Sequence, residues 1–90
     1  TESRRVLVTG ASSGIGAATA RLLAARGYRV VGIARRGEQL AALALETGIE
    51  VHTIDVTQED DTDWIAEHLR ATGGVDAVLN IAGGATDAAS

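Results

Sequence analysis

Three glycines follow a short apolar run near the start of the chain, in the stretch LVTGASSGIG at residues 7–16. The segment before them, RRVLVTG (4–10), is short and β-branched, which predicts a buried strand. The segment after them, IGAATARLLAARG (15–27), carries apolar residues at the spacing of one helix face. The residues that set this spacing are Ile15, Ala18, Leu22 and Ala25. The chain must therefore make a glycine-rich turn between a strand and a helix.

Each glycine of the turn has a distinct expected role. Gly10 lets the chain turn sharply off the strand, Gly14 allows a pyrophosphate to approach the backbone N–H groups, and Gly16 lets the helix pack closely. A helix N-terminus with free N–H groups is suited to phosphate. An ordinary tight turn that binds nothing is the alternative, but the position between strand and helix favours a dinucleotide site.

The rest of the chain continues the alternation of strands and helices. Further strands are predicted at 28–34, 49–56 and 75–84, and further helices at 36–48 and from Thr57 to about Ala71. Gly27 and Gly48 are placed to end the first two helices, and Thr57 with Asp60 is predicted to cap the third. This order implies a parallel sheet with right-handed crossovers and helices on both faces.

Composition excludes several classes of protein. The 90 residues allow one domain, and a hydrophobic content of 46% favours a globular fold. A net charge of −4 argues against general nucleic-acid binding. There is no cysteine, so disulfides and thiolate metal sites are excluded and a cytoplasmic location is expected. No apolar run approaches the roughly 20 residues that span a bilayer, so no membrane association is expected.

Three motifs together resemble the short-chain dehydrogenase/reductase family. The spacing T-G-x-x-x-G-x-G at 9–16 is that family's fingerprint, IDV (54–56) is similar to its Asp-Val after the third strand, and NIAG (80–83) is similar to its N-N-A-G. Ile81 departs from the pattern, which weakens a side-chain role there. The resemblance implies the N-terminal half of a Rossmann-type doubly wound parallel sheet, β-α-β-α-β-α-β with strand order 3-2-1-4, truncated relative to the family.

The resemblance also implies where a cofactor lies. The aspartate of the second motif, Asp55, would contact the adenine amino group, and the backbone of the third motif would lie along the ribose. The cofactor-binding residues implied by the three motifs are Gly10, Ser12, Ser13, Gly14, Ile15, Gly16, Asp55, Val56, Asn80, Ala82 and Gly83.

The residues after the second predicted strand indicate which nicotinamide cofactor is bound. NAD-binding Rossmann domains have an acid there, whereas this strand ends in GIARR with no acid before Glu38. Arg35 and Arg36 are suited to a 2′-phosphate, and in the family a basic residue at this point marks NADP preference. We therefore expect NADP (NADPH) rather than NAD. A solvated basic strand end is the alternative.

The catalytic residues of the family have no counterpart among these 90 residues. A Tyr-x-x-x-Lys pair requires a lysine, the chain has none, and Gly32 lies four positions after the single tyrosine, Tyr28. The sequence therefore predicts an incomplete NADP(H)-binding domain over residues 1–90. In the complete enzyme it would serve an NADP(H)-dependent oxidoreductase acting on an alcohol or carbonyl substrate. Association with a missing half or a homo-oligomer is expected. A non-catalytic nucleotide-binding module and a structural fragment are the alternatives.

Other polar residues receive structural interpretations. The acidic run EDDTD (59–63) is placed to complement a helix dipole rather than to bind a metal. His52 and His68 have no neighbouring His or Cys in the sequence, so structural roles and no metal site are expected for them. Trp64 is predicted to pack at the edge of the helix–sheet core, with a subunit contact as the alternative.

Overall fold

The computed structural model describes residues 4–12, 14–55 and 57–81. Strands and helices alternate along these residues, as the sequence predicts. The elements are β1 (Arg5–Thr9), α1 (Gly14–Ala25), β2 (Arg29–Ala34), α2 (Gly37–Thr47), β3 (Glu50–Thr53), α3 (Glu59–Ala71) and β4 (Ala77–Asn80). None of the described helices is long and apolar enough to cross a membrane.

The four strands form one sheet in the order β3-β2-β1-β4, and every neighbouring pair is parallel. The predicted order is confirmed. Thr9, the last residue of β1, lies opposite both Ile33 of β2 and Asn80 of β4. On the far side of β2, Ala34 lies opposite Thr53 of β3. The register therefore brings the carboxyl ends of all four strands to the same edge of the sheet.

Alternate residues of β1 and β2 enter two separate hydrophobic clusters, one on each face of the sheet. Val6 and Val8 pack with residues of α1 and α2, whereas Leu7 packs with residues of α3. Since successive side chains of a strand point to opposite faces, α1 and α2 cover one face and α3 covers the other. This arrangement is the doubly wound architecture that the sequence predicts.

The predicted inner face of α1 is wrong. Ile15 is 71% exposed and Leu22 is 54% exposed, and Ala18 and Ala25 are exposed as well. The residues that face the core are instead Gly16 and Ala20. The helix is so rich in alanine that the apolar spacing fits more than one face, and the close contact of Gly16 with the preceding turn selects between them.

Two of the three predicted helix boundaries are confirmed. Gly27 and Gly48 have φ of +93° and +77°, and the N–H of Gly48 donates to the carbonyl oxygen of Ala44. Thr57, however, does not cap α3, because the helix begins at Glu59 after Gln58 and makes no side-chain cap hydrogen bond. The Thr57 hydroxyl donates instead to Asp55.

The fourth strand is shorter and more exposed than predicted. It covers four residues within the predicted range 75–84, and all four are exposed. Within the described part of the chain β4 pairs only with β1. Val78 is 56% exposed and Leu79 36% exposed, so the apolar sequence that predicts a buried strand lies at a sheet edge. Residues 82–84 lie outside the described residues.

A buried arginine anchors the opposite, amino-terminal edge of the sheet. Arg5 is 4% exposed, and its guanidinium donates to Oγ1 of Thr72 at 2.7 Å and to Oε1 of Glu50 at 3.1 Å. A charge so deeply buried requires such partners. Burial raises the pKa of Glu50, but hydrogen bonds with His52, His68 and Arg5 outweigh it and the pKa falls to about 2. Glu50 is therefore ionised at neutral pH.

Candidate functional site

Four connecting segments converge at the carboxyl edge of the sheet. Gly10 follows β1, Arg35 follows β2, Asp55 lies two residues beyond β3, and Asn80 ends β4. The strands reach this edge in register, so the residues after them are brought together although up to 70 positions separate them in sequence. In open parallel sheets of this kind, ligands bind in the crevice outside the carboxyl ends of the strands.

The three glycines of the turn have different surroundings. Gly10 has φ of +69°, a left-handed conformation that favours glycine. A Cβ on Gly16 would overlap the carbonyl oxygen of Gly10 and lie 2.8 Å from its carbonyl carbon. A Cβ on Gly14 would meet none of the described residues within 4 Å. Gly10 and Gly16 are therefore needed for the fold, whereas Gly14 borders open space.

The turn is held against the neighbouring strand. The N–H of Ala11 donates a 3.1 Å hydrogen bond to the carbonyl oxygen of Ile33, and Ala11 is fully buried. Its Cβ lies 3.0 Å from the position that a Cβ on Gly32 would take, so Gly32 makes room for the turn. This contact fixes the N-terminus of α1 over the end of the sheet. Sequence reasoning missed Gly32, although a glycine inside a predicted strand signals a close backbone approach.

The first turn of α1 presents its N–H groups without an acidic side chain beside them. Its opening residue, Gly14, is exposed, and the first turn contains no Asp or Glu. The partial positive charge of the helix N-terminus is therefore not neutralised within its own first turn. Ile15 projects into solvent beside it, and Ser12 lies half-buried in the preceding turn. A helix N-terminus of this kind is suited to an anion.

Thr9 connects the end of β1 to the end of β4. Its hydroxyl donates to Oδ1 of Asn80 at 2.8 Å, and it also lies 3.4 Å from the carbonyl oxygen of Leu79. Thr9 is 9% exposed, so the bond is shielded from water. The sequence analysis places Asn80 in the site but does not predict that Thr9 binds it. Thr9 is the first residue of the T-G-x-x-x-G-x-G motif, and that position could have indicated a role.

Two arginines follow β2 at the same edge. Arg35 and Arg36 are exposed, and neither makes a hydrogen bond or ion pair through its side chain within residues 4–12, 14–55 and 57–81. Arg36 precedes α2 in an extended conformation, with φ of −98° and ψ of 104°. Both guanidinium groups are therefore available to an external anion.

Asp55 is held in place by its own neighbours. Its Oδ1 accepts hydrogen bonds from the Thr57 hydroxyl at 2.6 Å and from the Thr57 N–H at 3.0 Å, and its own N–H donates to Oδ2 of Asp61 at 2.9 Å. The two hydrogen bonds from Thr57 lower the pKa of Asp55 below its ordinary value, and the positive charge of Arg35 adds to this effect. The carboxylate is thus ionised and oriented at the edge of the crevice.

The structure brings together the described members of the predicted site, namely Gly10, Ser12, Gly14, Ile15, Gly16, Arg35, Arg36, Asp55 and Asn80. The other four predicted residues, Ser13, Val56, Ala82 and Gly83, lie outside the described residues.

The parallel sheet, its order and the glycine turn define a Rossmann-type domain. A family model described as "short chain dehydrogenase" matches residues 4–90, and the chain belongs to that family of oxidoreductases. Members of the family bind NAD or NADP.

Relatives of known sequence agree with this assignment. A serine 3-dehydrogenase from Agrobacterium fabrum is 49% identical over 63 residues, which cover 68% of this chain and 25% of that protein. A probable NADP-dependent dehydrogenase from Dichelobacter nodosus is 41% identical over 81 residues, which cover 87% of this chain and 76% of that protein. The chain thus spans about a quarter of the length of the first relative and three quarters of the second.

Solved structures share the fold. A metagenomic short-chain oxidoreductase in complex with NADP is 40% identical with a TM-score of 0.77, and the match covers 83% of this chain and 37% of that one. A short-chain type dehydrogenase/reductase from Mycobacterium ulcerans is 31% identical with a TM-score of 0.80, covering 87% of this chain and 32% of that one.

Proposed function

We propose that this chain is the NADP(H)-binding part of a short-chain dehydrogenase that transfers a hydride between nicotinamide and an alcohol or carbonyl substrate. The observation that carries the proposal is the open space at Gly14, in front of the α1 N-terminus, with exposed arginines at the same sheet edge. A Cβ at Gly14 would occupy space that the described residues leave empty, and a pyrophosphate fits there.

Different residues at the carboxyl edge of the sheet bind different parts of the cofactor. The N–H groups of the α1 N-terminus bind the pyrophosphate. Arg35 and Arg36 bind a 2′-phosphate, because guanidinium groups form paired charge-assisted hydrogen bonds with phosphate. The ionised carboxylate of Asp55 accepts a hydrogen bond from the adenine amino group. Asn80, oriented by Thr9, lies where the nicotinamide ribose passes the end of β4. When bound, the cofactor supplies or accepts the hydride.

The NADP preference has support from the comparisons as well as from the arginines. The D. nodosus relative is described as probably NADP-dependent, and the metagenomic oxidoreductase holds NADP. No acid follows β2 before Glu38, so the ribose hydroxyls of NAD lack the carboxylate that binds them in NAD-specific Rossmann domains.

We assign the proton-transfer groups of the reaction to polypeptide outside these 90 residues. Hydride transfer to a carbonyl requires a proton for the substrate oxygen. Tyr28 precedes β2 at the amino-terminal edge of the sheet, opposite the crevice, and the sequence contains no lysine. The 90 residues therefore bind and orient the cofactor but carry no catalytic residue.

Calorimetric titration of the 90-residue chain with NADPH, NADH, adenosine 2′,5′-bisphosphate and AMP tests the proposal. A 2′-phosphate held by charge-assisted bonds should tighten binding by about 10-fold or more, so NADPH should bind more tightly than NADH and the bisphosphate more tightly than AMP. Equal affinities within each pair would refute the NADP assignment. Absence of binding by all four would refute the cofactor site.

A further inference from the structure

Three metal-ligating side chains meet where α3 packs against β3, the strand at the end of the described sheet order. Glu50 and His52 are two residues apart on β3, so both point to the face covered by α3. His68 lies near the end of α3. Neither histidine has a His or Cys neighbour in the sequence, but the fold brings the two rings to 4.9 Å between centroids.

One carboxylate oxygen is shared between the two imidazoles. Oε2 of Glu50 lies 2.6 Å from Nε2 of His52 and 3.0 Å from Nε2 of His68. The three groups offer ligand atoms that all lie within 4.8 Å of one another. The other oxygen, Oε1, is paired with the guanidinium of Arg5 at 3.1 Å. The carboxylate is thus oriented by a buried partner while Oε2 faces the imidazoles, and such outer partners fix the ligands of metal sites.

We propose that Glu50, His52 and His68 form a binding site for a divalent transition metal ion, with Zn²⁺ as the best match. Two imidazoles and one carboxylate are a donor set that zinc takes in three-ligand sites, where water or another ligand holds the fourth position. The proposal is independent of the cofactor site, because Glu50, His52 and His68 are not among the residues assigned to the cofactor.

The spacing of the donors fits that geometry. Bonds of about 2.0–2.1 Å in a tetrahedral site place neighbouring ligand atoms about 3.3 Å apart. The distances from Oε2 to the two imidazole nitrogens are 2.6 and 3.0 Å, and all three donors lie within 4.8 Å of one another, so rotation of these side chains would admit the ion. The side chains of Glu50, His52 and His68 are 37%, 21% and 30% exposed, which leaves a path for the ion and room for a fourth ligand.

Trp64 lies against the proposed metal site, so its fluorescence can report on metal binding. Trp64 stacks on His68 with a centroid separation of 5.1 Å and an interplanar angle of 5°, and it meets the His52 ring edge-on at 5.2 Å. It is the single tryptophan of the chain. Paramagnetic Ni²⁺ or Cu²⁺ bound to either imidazole would therefore quench most of the tryptophan fluorescence. Trp64 as a whole residue is 51% exposed, and its ring contacts join β3 to α3.

The test uses the 90-residue chain and the metal ions alone. We expect one Zn²⁺ per chain by calorimetry, stoichiometric quenching of Trp64 by Ni²⁺, and a higher melting temperature with Zn²⁺ present. His52→Gln and His68→Gln should each raise the Zn²⁺ dissociation constant at least tenfold and remove most of the quenching at low Ni²⁺. Glu67→Gln is the matched control, since it removes a 71%-exposed carboxylate next to His68 and should change nothing.

Two results would overturn the proposal. One is no Zn²⁺ binding with a dissociation constant below about 100 μM. The other is unchanged affinity in both histidine variants, each checked by circular dichroism to be folded. Gly14→Val should leave Zn²⁺ binding intact, so failure of the cofactor site and failure of the metal site are distinguishable.

Discussion

The hydroxyl of Thr9 donates a 2.8 Å hydrogen bond to Oδ1 of Asn80 across the ends of β1 and β4. The two residues are also register partners in the sheet. The bond connects the strand that leads into the glycine turn with the edge strand at the far side of the crevice. It therefore couples the position of β4 to that of the proposed pyrophosphate site.

Thr9→Val should lower the free energy of unfolding by about 1 kcal/mol, because it removes this shielded hydrogen bond and leaves the side-chain shape nearly unchanged. Chemical denaturation measures the effect. Thr19→Val is the control, since the Thr19 hydroxyl bonds only to the Ile15 carbonyl oxygen within α1. A Thr9 variant as stable as the Thr19 variant would contradict the prediction.

Gly14→Val should weaken cofactor binding, whereas Gly16→Ala should destabilise the fold. Valine at Gly14 meets open space, so the fold should survive while NADPH affinity falls at least about 10-fold, since the side chain occupies the pyrophosphate position. Alanine at Gly16 overlaps Gly10 and should destabilise the fold by about 1–3 kcal/mol. Calorimetric titration and thermal unfolding of both variants separate the effects. Unchanged NADPH affinity in Gly14→Val would remove the turn from the site.

Arg35→Asp should reverse the cofactor preference, because it replaces a phosphate-binding guanidinium with a carboxylate. The carboxylate repels the 2′-phosphate of NADPH and accepts hydrogen bonds from the ribose hydroxyls of NADH. We expect NADPH affinity to fall by about 10- to 100-fold and NADH to become the tighter ligand. Arg29→Asp makes the same charge change at the amino end of β2, also on an exposed residue. An equal loss of NADPH affinity in both variants would mean that overall charge, rather than the site, determines binding.

Thr57→Ala should raise the pKa of Asp55 towards its ordinary value, because the Thr57 hydroxyl is the largest contributor to its lowering. A carboxyl whose pKa is lowered on folding stabilises the fold above its unfolded pKa, and that stabilisation is lost as the pH falls through the folded pKa. In the variant this loss begins at a higher pH. Carboxyl ¹³C NMR titration measures the shift, and Thr19→Ala should leave the titration of Asp55 unchanged.

The 90-residue chain on its own should be catalytically inert and should self-associate or require a complementary half. Val78 and Leu79 are exposed on β4, which pairs only with β1 among the described residues, and open edges promote association. Val78→Lys should therefore shift the chain towards monomer in sedimentation experiments, whereas Leu45→Lys, a control at a 90%-exposed position on α2, should not. A monodisperse monomer that oxidises NADPH with a carbonyl substrate would contradict both expectations.

Much of this fold is determined by sequence patterns that act locally. Strand and helix alternation along the chain dictates a parallel sheet, since parallel neighbours require crossovers. Gly10, Gly27 and Gly48 mark turns because each adopts a positive φ that other residues avoid. The inward face of α2 is readable from Leu40 and Leu43 because the rest of that helix is mostly polar or small.

Other features depend on contacts that no local pattern encodes. Spacing alone selected the wrong face of α1, because alanine offers little contrast and the choice depends on Gly16 meeting Gly10. Thr57 has the sequence of a cap, but α3 begins two residues later, at Glu59, and the Thr57 hydroxyl donates to Asp55.

The grouping of Glu50, His52 and His68 was decided by tertiary structure alone. Sixteen positions separate the two histidines in the printed sequence, and only the packing of α3 across β3 brings their rings to 4.9 Å. The sequence determined which chemical groups were available and which elements carry them. The crossover that returns α3 over the sheet decided which of those groups meet, because side-chain contact depends on the relative position of packed elements.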